Sequence, residues 1–199
     1  IQYQLQQISD IERLISKVAT GKVSPRETVL LKDSLNAVLP IKEKALASEN
    51  KSIKNLGDQF LDCSNIISKI NTFLFDNAPV NINKGGAIAN GVSQELDDLR
   101  AISSSGKEYL DHMLARETER TAIPSLKIAF NNVFGYYIEV RNTHKDKVPD
   151  EWVRKQTLVN AERYITEELK EYETKILGAE EKIKELEQQL FADLVHYIT

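Results

Sequence analysis

The strongest constraint on the fold is a heptad repeat near the end of the sequence. Apolar residues recur there at alternating steps of four and three, which places them on one stripe of an α-helix for more than three repeats. The stripe consists of Ile165, Leu169, Tyr172, Ile176, Ala179, Ile183, Leu186 and Leu190. Glutamate and lysine dominate the flanking positions. A helix of this kind needs a partner along its length, because it otherwise exposes a continuous apolar surface to water.

The predicted partner is a second long helix that begins after Ser93 and ends near Thr121. Ser93 suits the N-cap position, and Pro124 releases the chain from the helix. Gly106 lies on or near the apolar side of this helix, where the absence of a Cβ atom lets a neighbouring helix approach closely. We therefore expect two antiparallel helices, joined at their far end by the intervening residues.

Three further amphipathic helices are predicted upstream. The first covers residues 1–20, where apolar residues recur at steps of three and four. Ser24 and Pro25 are a typical N-cap and first helical residue for the second helix, which Pro40 is expected to break or kink. The third covers residues 51–75, and the proline-, glycine- and asparagine-rich stretch after it is expected to be an irregular connection.

Alternating side chains predict short strands at residues 126–130 and 134–140, followed by a polar ribbon at 152–158. Asn131 and Asn132 suit the turn between the two strands, since asparagine tolerates positive φ. The predicted fold is therefore mainly α, with long antiparallel helices and a small antiparallel β-sheet inserted at their tip.

Composition restricts the function without deciding it. The net charge of −4 argues against a wholly basic surface, yet residues 125–163 contain seven basic and five acidic residues, a local charge of +2. From composition alone, an ordinary solvated surface of mixed charge is the favoured explanation. The single cysteine, Cys63, fits a reducing compartment. No apolar run is long enough for a membrane span, and a first residue other than methionine suggests a segment of a longer protein.

Catalytic signals are weak throughout the sequence. His112, His144 and His196 are far apart, and none has a second histidine or cysteine at metal-ligand spacing. The pair Gly85 and Gly86 lacks the lysine and hydroxyl of a phosphate-binding loop, and no predicted strand leads into it. We therefore expect no catalytic residue and no metal site in this chain.

Two strings, FGYYIEV at residues 134–140 and RKQTLVNAERY at residues 154–164, resemble the clamp region of the MutS family of DNA mismatch-repair proteins. The stretches at residues 95–100 and 117–121 are similar to the helix that leads into that clamp. Residues 10–14, 21–26 and 84–86 resemble the core helices and their connecting loop. The resemblance covers essentially the whole chain in the right order.

The resemblance implies a helical lever or core at residues 1–115, a clamp with a small β-sheet at 116–170 and a returning lever helix at 171–199. In the family, two such arms, one from each subunit of a dimer, hold the backbone of duplex DNA without reading its sequence. The implied partners are double-stranded DNA, a second MutS subunit and downstream mismatch-repair factors, with no membrane. The implied location is the bacterial cytoplasm, at the nucleoid.

The family's mismatch-reading motif and its ATPase lie in other domains. The resemblance therefore implies that ATP and Mg²⁺ bind elsewhere in the full-length protein, and that this segment has no cofactor and no enzymatic activity of its own.

Seven residues are predicted to contact DNA phosphates. They lie at the hairpin turn, in the basic loop and on the returning ribbon: Asn131, Asn132, Lys145, Lys147, Arg154, Lys155 and Asn160. Arg163 is expected to pair instead with Glu167, four residues on. Tyr136 and Tyr137 are expected to be packing residues, since duplex DNA exposes few base faces.

Two other interpretations remain open. The chain could be a helical protein-interaction or oligomerisation module with no DNA contact, or part of a MutS-like protein that works outside mismatch repair. Salt dependence separates the first of these from DNA clamping, because phosphate binding weakens steeply with salt whereas apolar contact does not.

Overall fold

The structure is a computed structural model that describes residues 1–199. The chain divides into two compact units. The first unit combines Ile1–Leu96 with Ile183–Thr199, and the second unit is Asp97–Lys182. The predicted clamp boundaries at 116 and 170 do not coincide with the boundaries of these units, and they stay a prediction.

The first unit is built from helices. Its complete helices are α1 (Gln2–Gln6), α2 (Ile11–Ala19), α3 (Pro25–Leu46), α4 (Lys51–Asp58) and α5 (Ser64–Phe73), followed by a 3-10 turn at Ile82–Lys84. The start of helix α6 (Gln94–Thr121) and the end of helix α7 (Glu167–Ile198) complete the unit. No helix of the chain is both long enough and apolar enough to span a membrane.

Two predicted helices are each divided in two, and an aspartate side chain binds a backbone N–H where each second helix begins. The side chain of Asp10 accepts a hydrogen bond from the backbone N–H of Arg13 at 3.0 Å and starts α2. The side chain of Asp62 accepts one from the N–H of Ser64 at 2.9 Å, at the start of α5. Such bonds satisfy backbone donors that have no partner in the first helical turn. Cys63, directly before α5, is only partly buried.

The prediction for α3 is confirmed at its start, and of the break or kink expected at Pro40 the break does not occur. Ser24 and Glu27 form a reciprocal capping box, and Pro25 occupies the first turn. Pro40 does not break the helix, which continues to Leu46. A proline removes one hydrogen bond from a helix, and α3 tolerates this loss while its N-terminal half is buried in the core.

The core of the first unit lies between α2, α3, α5 and the ends of the two long helices. Leu14, Leu31, Ile70 and Leu194 are among its fully buried members. Glu187 is also fully buried. Its carboxylate accepts hydrogen bonds from two backbone N–H groups of the loop before α6, that of Gly86 at 3.1 Å and that of Ala87 at 2.9 Å. Such contacts compensate for burying a carboxylate away from water. They also fix the irregular loop against α7.

The second unit contains a four-stranded antiparallel sheet: β1 (Lys127–Asn131), β2 (Gly135–Arg141), β3 (Val153–Thr157) and β4 (Ala161–Ile165), in the order β1-β2-β4-β3. The predicted fold class, mainly α with a small sheet, is confirmed. Strand β4 was not predicted, and it places Ile165 in the sheet rather than at the start of the heptad helix. A register shift between Arg154 and Gln156 forms a bulge at Lys155 in β3, which is an edge strand.

The predicted antiparallel pairing of the two long helices is confirmed within the second unit. Residue numbers rise along α6 while those of their contacts on α7 fall. Lys107 forms an ion pair with Glu180, and Arg116 forms one with Glu168. Between them, the ring of Tyr109 stacks on that of Tyr172 with 3.7 Å between the ring centroids. Gly106 lies where the helices approach most closely, since a Cβ atom built on it would be 2.5 Å from Cγ1 of Ile176.

One face of the sheet packs against this helix pair. Ile138 and Val140 of β2 and Tyr164 of β4 share the core with Leu169 and Ile176 of α7. Alternation along a strand places successive side chains on opposite faces, so the polar residues between these positions are directed to the other face. The sheet is therefore held on one face and open on the other.

We expect Gly106→Ala to destabilise the protein, because its methyl group would overlap Ile176. Gly178→Ala is the matched control, since nothing lies within 4 Å of the Cβ position at Gly178. The control should raise the free energy of unfolding by about 0.5–1 kcal/mol through helix propensity. Gly106→Ala should be about 1–3 kcal/mol less stable than the control.

Urea denaturation followed by circular dichroism measures both variants. Adding Ile176→Ala to Gly106→Ala should cost less than the two single changes added together, because the smaller side chain leaves room for the methyl group. Equal stability of the two glycine variants would contradict the close approach of the helices.

Candidate nucleic-acid interface

The predicted phosphate contacts are spread along the sheet rather than grouped in one patch. Strand register places Asn131 opposite Gly135 at the β1–β2 turn, whereas Arg141, at the other end of β2, pairs with Ala161 beside the β3–β4 turn. Six residues of extended strand separate these ends by about 20 Å. Asn131 and Asn132 therefore lie far from Asn160.

The β1–β2 turn has features that disfavour phosphate. Its positive φ of 76° belongs to Gly135 and not to the asparagines, which corrects the predicted reason for their presence. Asn131 instead stabilises the turn through its side-chain oxygen, which accepts from the N–H of Val133 at 2.8 Å. The carboxylate of Glu173 on α7 accepts the N–H of Tyr136 and lies directly against Gly135. A negative charge beside the turn repels a phosphate group.

The other end of the sheet contains a polar cleft of about 510 Å³. Its lining is Glu139, Arg141, Asn142, Thr143, Asn160 and Ala161. Asn142 joins the two loops there, since its backbone N–H donates to the carbonyl of Asn160 at 3.1 Å and its side-chain amide donates to the carbonyl of Val159 at 2.9 Å. The cleft is therefore formed by segments that are held together.

Three polar side chains around this cleft have no partner within the protein. Arg141, Thr143 and Asn160 are exposed and donate to no other protein group. Guanidinium, hydroxyl and amide groups of this kind bind phosphate oxygens. Of these three, only Asn160 was predicted as a contact. Arg141 and Thr143 could have been found from the cluster of donor side chains directly after β2, where the chain leaves the sheet.

The predicted lysines differ in whether their side chains have partners within the protein. Lys145, in the 3-10 turn at Asn142–Lys147, and Lys155, on β3, are exposed and form no hydrogen bond or ion pair within the protein. Lys147 donates to the carbonyl of Ala122 at 3.0 Å, at the C-terminal end of α6. Lys147 therefore stabilises the end of helix α6. Lys145 and Lys155 are the two predicted lysines whose charges have no partner within the protein.

Arg154 belongs to a cluster around Glu162. Its Nη1 atom lies 3.3 Å from Oε1 of Glu162, and the hydroxyl of Tyr164 donates to the other carboxylate oxygen. The Tyr164 hydrogen bond and the positive charges of Arg154 and Lys145 hold the pKa of Glu162 below its usual value. Burial and the carboxylate of Glu162 raise the pKa of Tyr164 to about 12. A fixed negative charge therefore lies among the predicted phosphate contacts.

The predicted pairing of Arg163 with Glu167 is wrong. Because β4 extends to Ile165, Arg163 is not on a helical turn with Glu167. It lies on the open face of the sheet, where it donates to Glu139 at 3.1 Å and to Gln156 at 2.9 Å. Its guanidinium group also lies 4.2 Å from the ring centroid of Tyr137, which is buried as expected of a packing residue.

The structure contains no group of three or more histidine, cysteine, aspartate and glutamate side chains arranged to hold a metal ion. His112 and His196 are exposed on helix surfaces, and His144 is partly buried in the 3-10 turn of the basic loop.

Comparison with known proteins identifies the family. A profile described as MutS family domain IV matches residues 91–182, which include the whole sheet. Over 198 residues, the chain is 68% identical to the DNA mismatch repair protein MutS of Flavobacterium johnsoniae. The chain belongs to the MutS family. Its identity to the MutS proteins of Flavobacterium psychrophilum and Bacteroides thetaiotaomicron is 65% and 60%.

These matches cover the chain completely but only part of each relative. All of the chain aligns, and it spans 23% of the length of these MutS proteins. The match to domain IV includes the cleft, both free lysines and the Glu162 cluster. The similarity to MutS therefore extends over every residue of the candidate interface.

The raised pKa of Tyr164 predicts a loss of stability at alkaline pH. The folded state keeps the Tyr164 proton up to about pH 12, whereas an ordinary tyrosine loses it near its usual pKa of 10.0. Between these values the unfolded state binds fewer protons, so stability falls as the pH rises. We expect the urea concentration at the unfolding midpoint to decrease as the pH is raised from about 9 to about 11. The decrease should be smaller in Tyr164→Phe.

The same urea titration of Tyr3→Phe is the control, since Tyr3 is exposed on α1. An equal alkaline loss in the wild type and in Tyr164→Phe would contradict the proposed environment of this hydroxyl group.

Proposed function

We propose that this chain is the part of a mismatch-repair protein that holds duplex DNA by its phosphate backbone without reading sequence. One observation carries the proposal: the region matched to MutS family domain IV has exposed cations and donors without internal partners at the end of its sheet that contains Arg141 and on the edge strand β3. The relatives are named as DNA mismatch repair proteins. Phosphate contacts of this type fix position on DNA and carry no sequence information.

The proposed contacts are Arg141, Thr143, Lys145, Lys155 and Asn160. Three of them are cations, so the expected log–log slope of affinity against salt is about −0.9 for each cation that neutralises a phosphate, or about −3 in total. The chain as a whole is negatively charged, so binding depends on this local group of cations. Arg154 is a further candidate whose charge is partly compensated by Glu162.

The long helices α6 and α7 are suited to transmitting conformational change to the sheet. Close packing at Gly106 and the ion pairs along α6 and α7 support a stiff connection to the sheet. We propose that this connection transmits changes from an ATPase domain elsewhere in the polypeptide, which binds ATP and Mg²⁺. A dimer with a second MutS subunit would then surround the DNA and engage downstream repair factors in the bacterial cytoplasm. No catalytic role is proposed for this segment.

A protein-interaction module is the second candidate function, and one observation favours it. The first unit has an apolar groove of about 550 Å³ beside α3 and α4. Ile41, Ala45, Ile53, Leu56 and Phe60 contribute to its lining, and Leu56 remains 59% exposed. Exposed apolar surface of this kind is typical of protein contacts. Binding at this groove should respond little to salt.

Salt-dependent binding of a fluorescent DNA duplex, measured by anisotropy, tests the proposed clamping function. The 199-residue chain should bind a fully paired duplex and the same duplex with one mismatch equally well, and binding should weaken steeply with salt. Lys145→Glu with Lys155→Glu should abolish measurable binding or reduce the magnitude of the salt slope by about 1.8, because two phosphate contacts are lost.

The matched control is Lys51→Glu with Lys54→Glu, which makes the same change in net charge on exposed residues of α4. This control should bind almost as well as the wild type. No binding by the wild type at low salt, or equal losses in the two double variants, would overturn the proposed site. Salt-insensitive binding to a protein partner, weakened by Leu56→Glu, would favour the interaction module.

A further inference from the structure

Glu162 is a carboxylate on the packed face of the sheet, where it lies against the predicted phosphate contact Arg154. It is in β4, opposite Val140 of β2 and Thr157 of β3. Its side chain is only 13% exposed, whereas that of its partner Arg154 is 61% exposed. The carboxylate is therefore held in place while the guanidinium group remains open to water.

The donors around Glu162 keep it ionised and oriented. The buried hydroxyl of Tyr164 donates to one carboxylate oxygen, and Arg154 donates to the other at 3.3 Å. The positive charge of Lys145 also acts on this carboxylate. The carboxylate thus occupies, within the protein, the kind of position that a phosphate oxygen would take against the same cations.

We propose that Glu162 limits the affinity of this surface for DNA by competing with the phosphate backbone for Arg154. The inference rests on the proposed DNA-clamping function and adds a residue that limits how tightly DNA is bound. In the free protein, Arg154 is paired with Glu162, so a phosphate gains less from Arg154 than from the unpaired Lys155. The surface therefore holds DNA weakly enough to move along it or release it.

The energetic scale of such a contact is modest. Because the guanidinium group of Arg154 remains open to water, its attraction to Glu162 is screened, and loss of the pair should change the affinity for DNA by up to about fivefold. Removing the charge of Glu162 should also let Arg154 act as a full additional cation. The salt slope should then become steeper by up to about 0.9.

Glu162→Gln tests the inference with little disturbance of the fold, because the amide keeps the size of the side chain and an oxygen acceptor for Tyr164. We expect it to bind the duplex about three- to fivefold more tightly than the wild type, with a steeper salt slope. Glu151→Gln is the matched control, since Glu151 is also paired with an arginine, Arg120, at 2.7 Å. It should change affinity and slope little.

A double variant separates competition for Arg154 from a general change of charge. In an Arg154→Gln background, Glu162→Gln should give no comparable gain in affinity and no steeper slope. A gain that persists in this background, or a gain equal to that of Glu151→Gln, would overturn the inference while leaving DNA clamping intact. Absence of binding by the wild type and Glu162→Gln alike would overturn the proposed function, and this inference with it.

Discussion

The second unit depends on the close contact between α6 and α7 at Gly106 and Ile176. Helices that touch at a glycine approach more closely than helices separated by larger side chains. The stacked rings of Tyr109 and Tyr172 and the charged pairs on either side follow from that approach. The sheet has too little apolar surface to form a core alone, so it packs on the helix pair that this contact creates.

Features encoded by local periodicity were predictable from the sequence. The heptad stripe identified α7, the apolar side with Gly106 identified α6 as its partner, and alternation identified β1 and β2. The breaks between α1 and α2 and between α4 and α5 were missed because local hydrogen bonds to Asp10, the N-cap of α2, and to Asp62, just before α5, interrupt otherwise regular apolar spacing. Strand β4 was missed because it directly precedes a long helix and adds no turn signal of its own.

The candidate interface was predictable in residue type but not in arrangement. Exposed basic and amide side chains were expected between the strands, and Lys145, Lys155 and Asn160 are free as expected of donors. Their grouping depends on strand register, which sequence spacing does not determine when a strand is unrecognised. The pairing of Arg163 with Glu139, and of Arg154 with Glu162, follows from that register.

The bulge at Lys155 has a consequence for the solution behaviour of the protein. Strand β3 is at the edge of the sheet and leaves backbone hydrogen-bonding groups without a neighbouring strand. Exposed edges of this kind can pair with another chain and lead to aggregation, and bulges and lysines oppose such pairing. Lys155, which we propose as a DNA contact, therefore also opposes pairing of this edge with another strand, so the proposed recognition and the protection of the edge fall on one side chain.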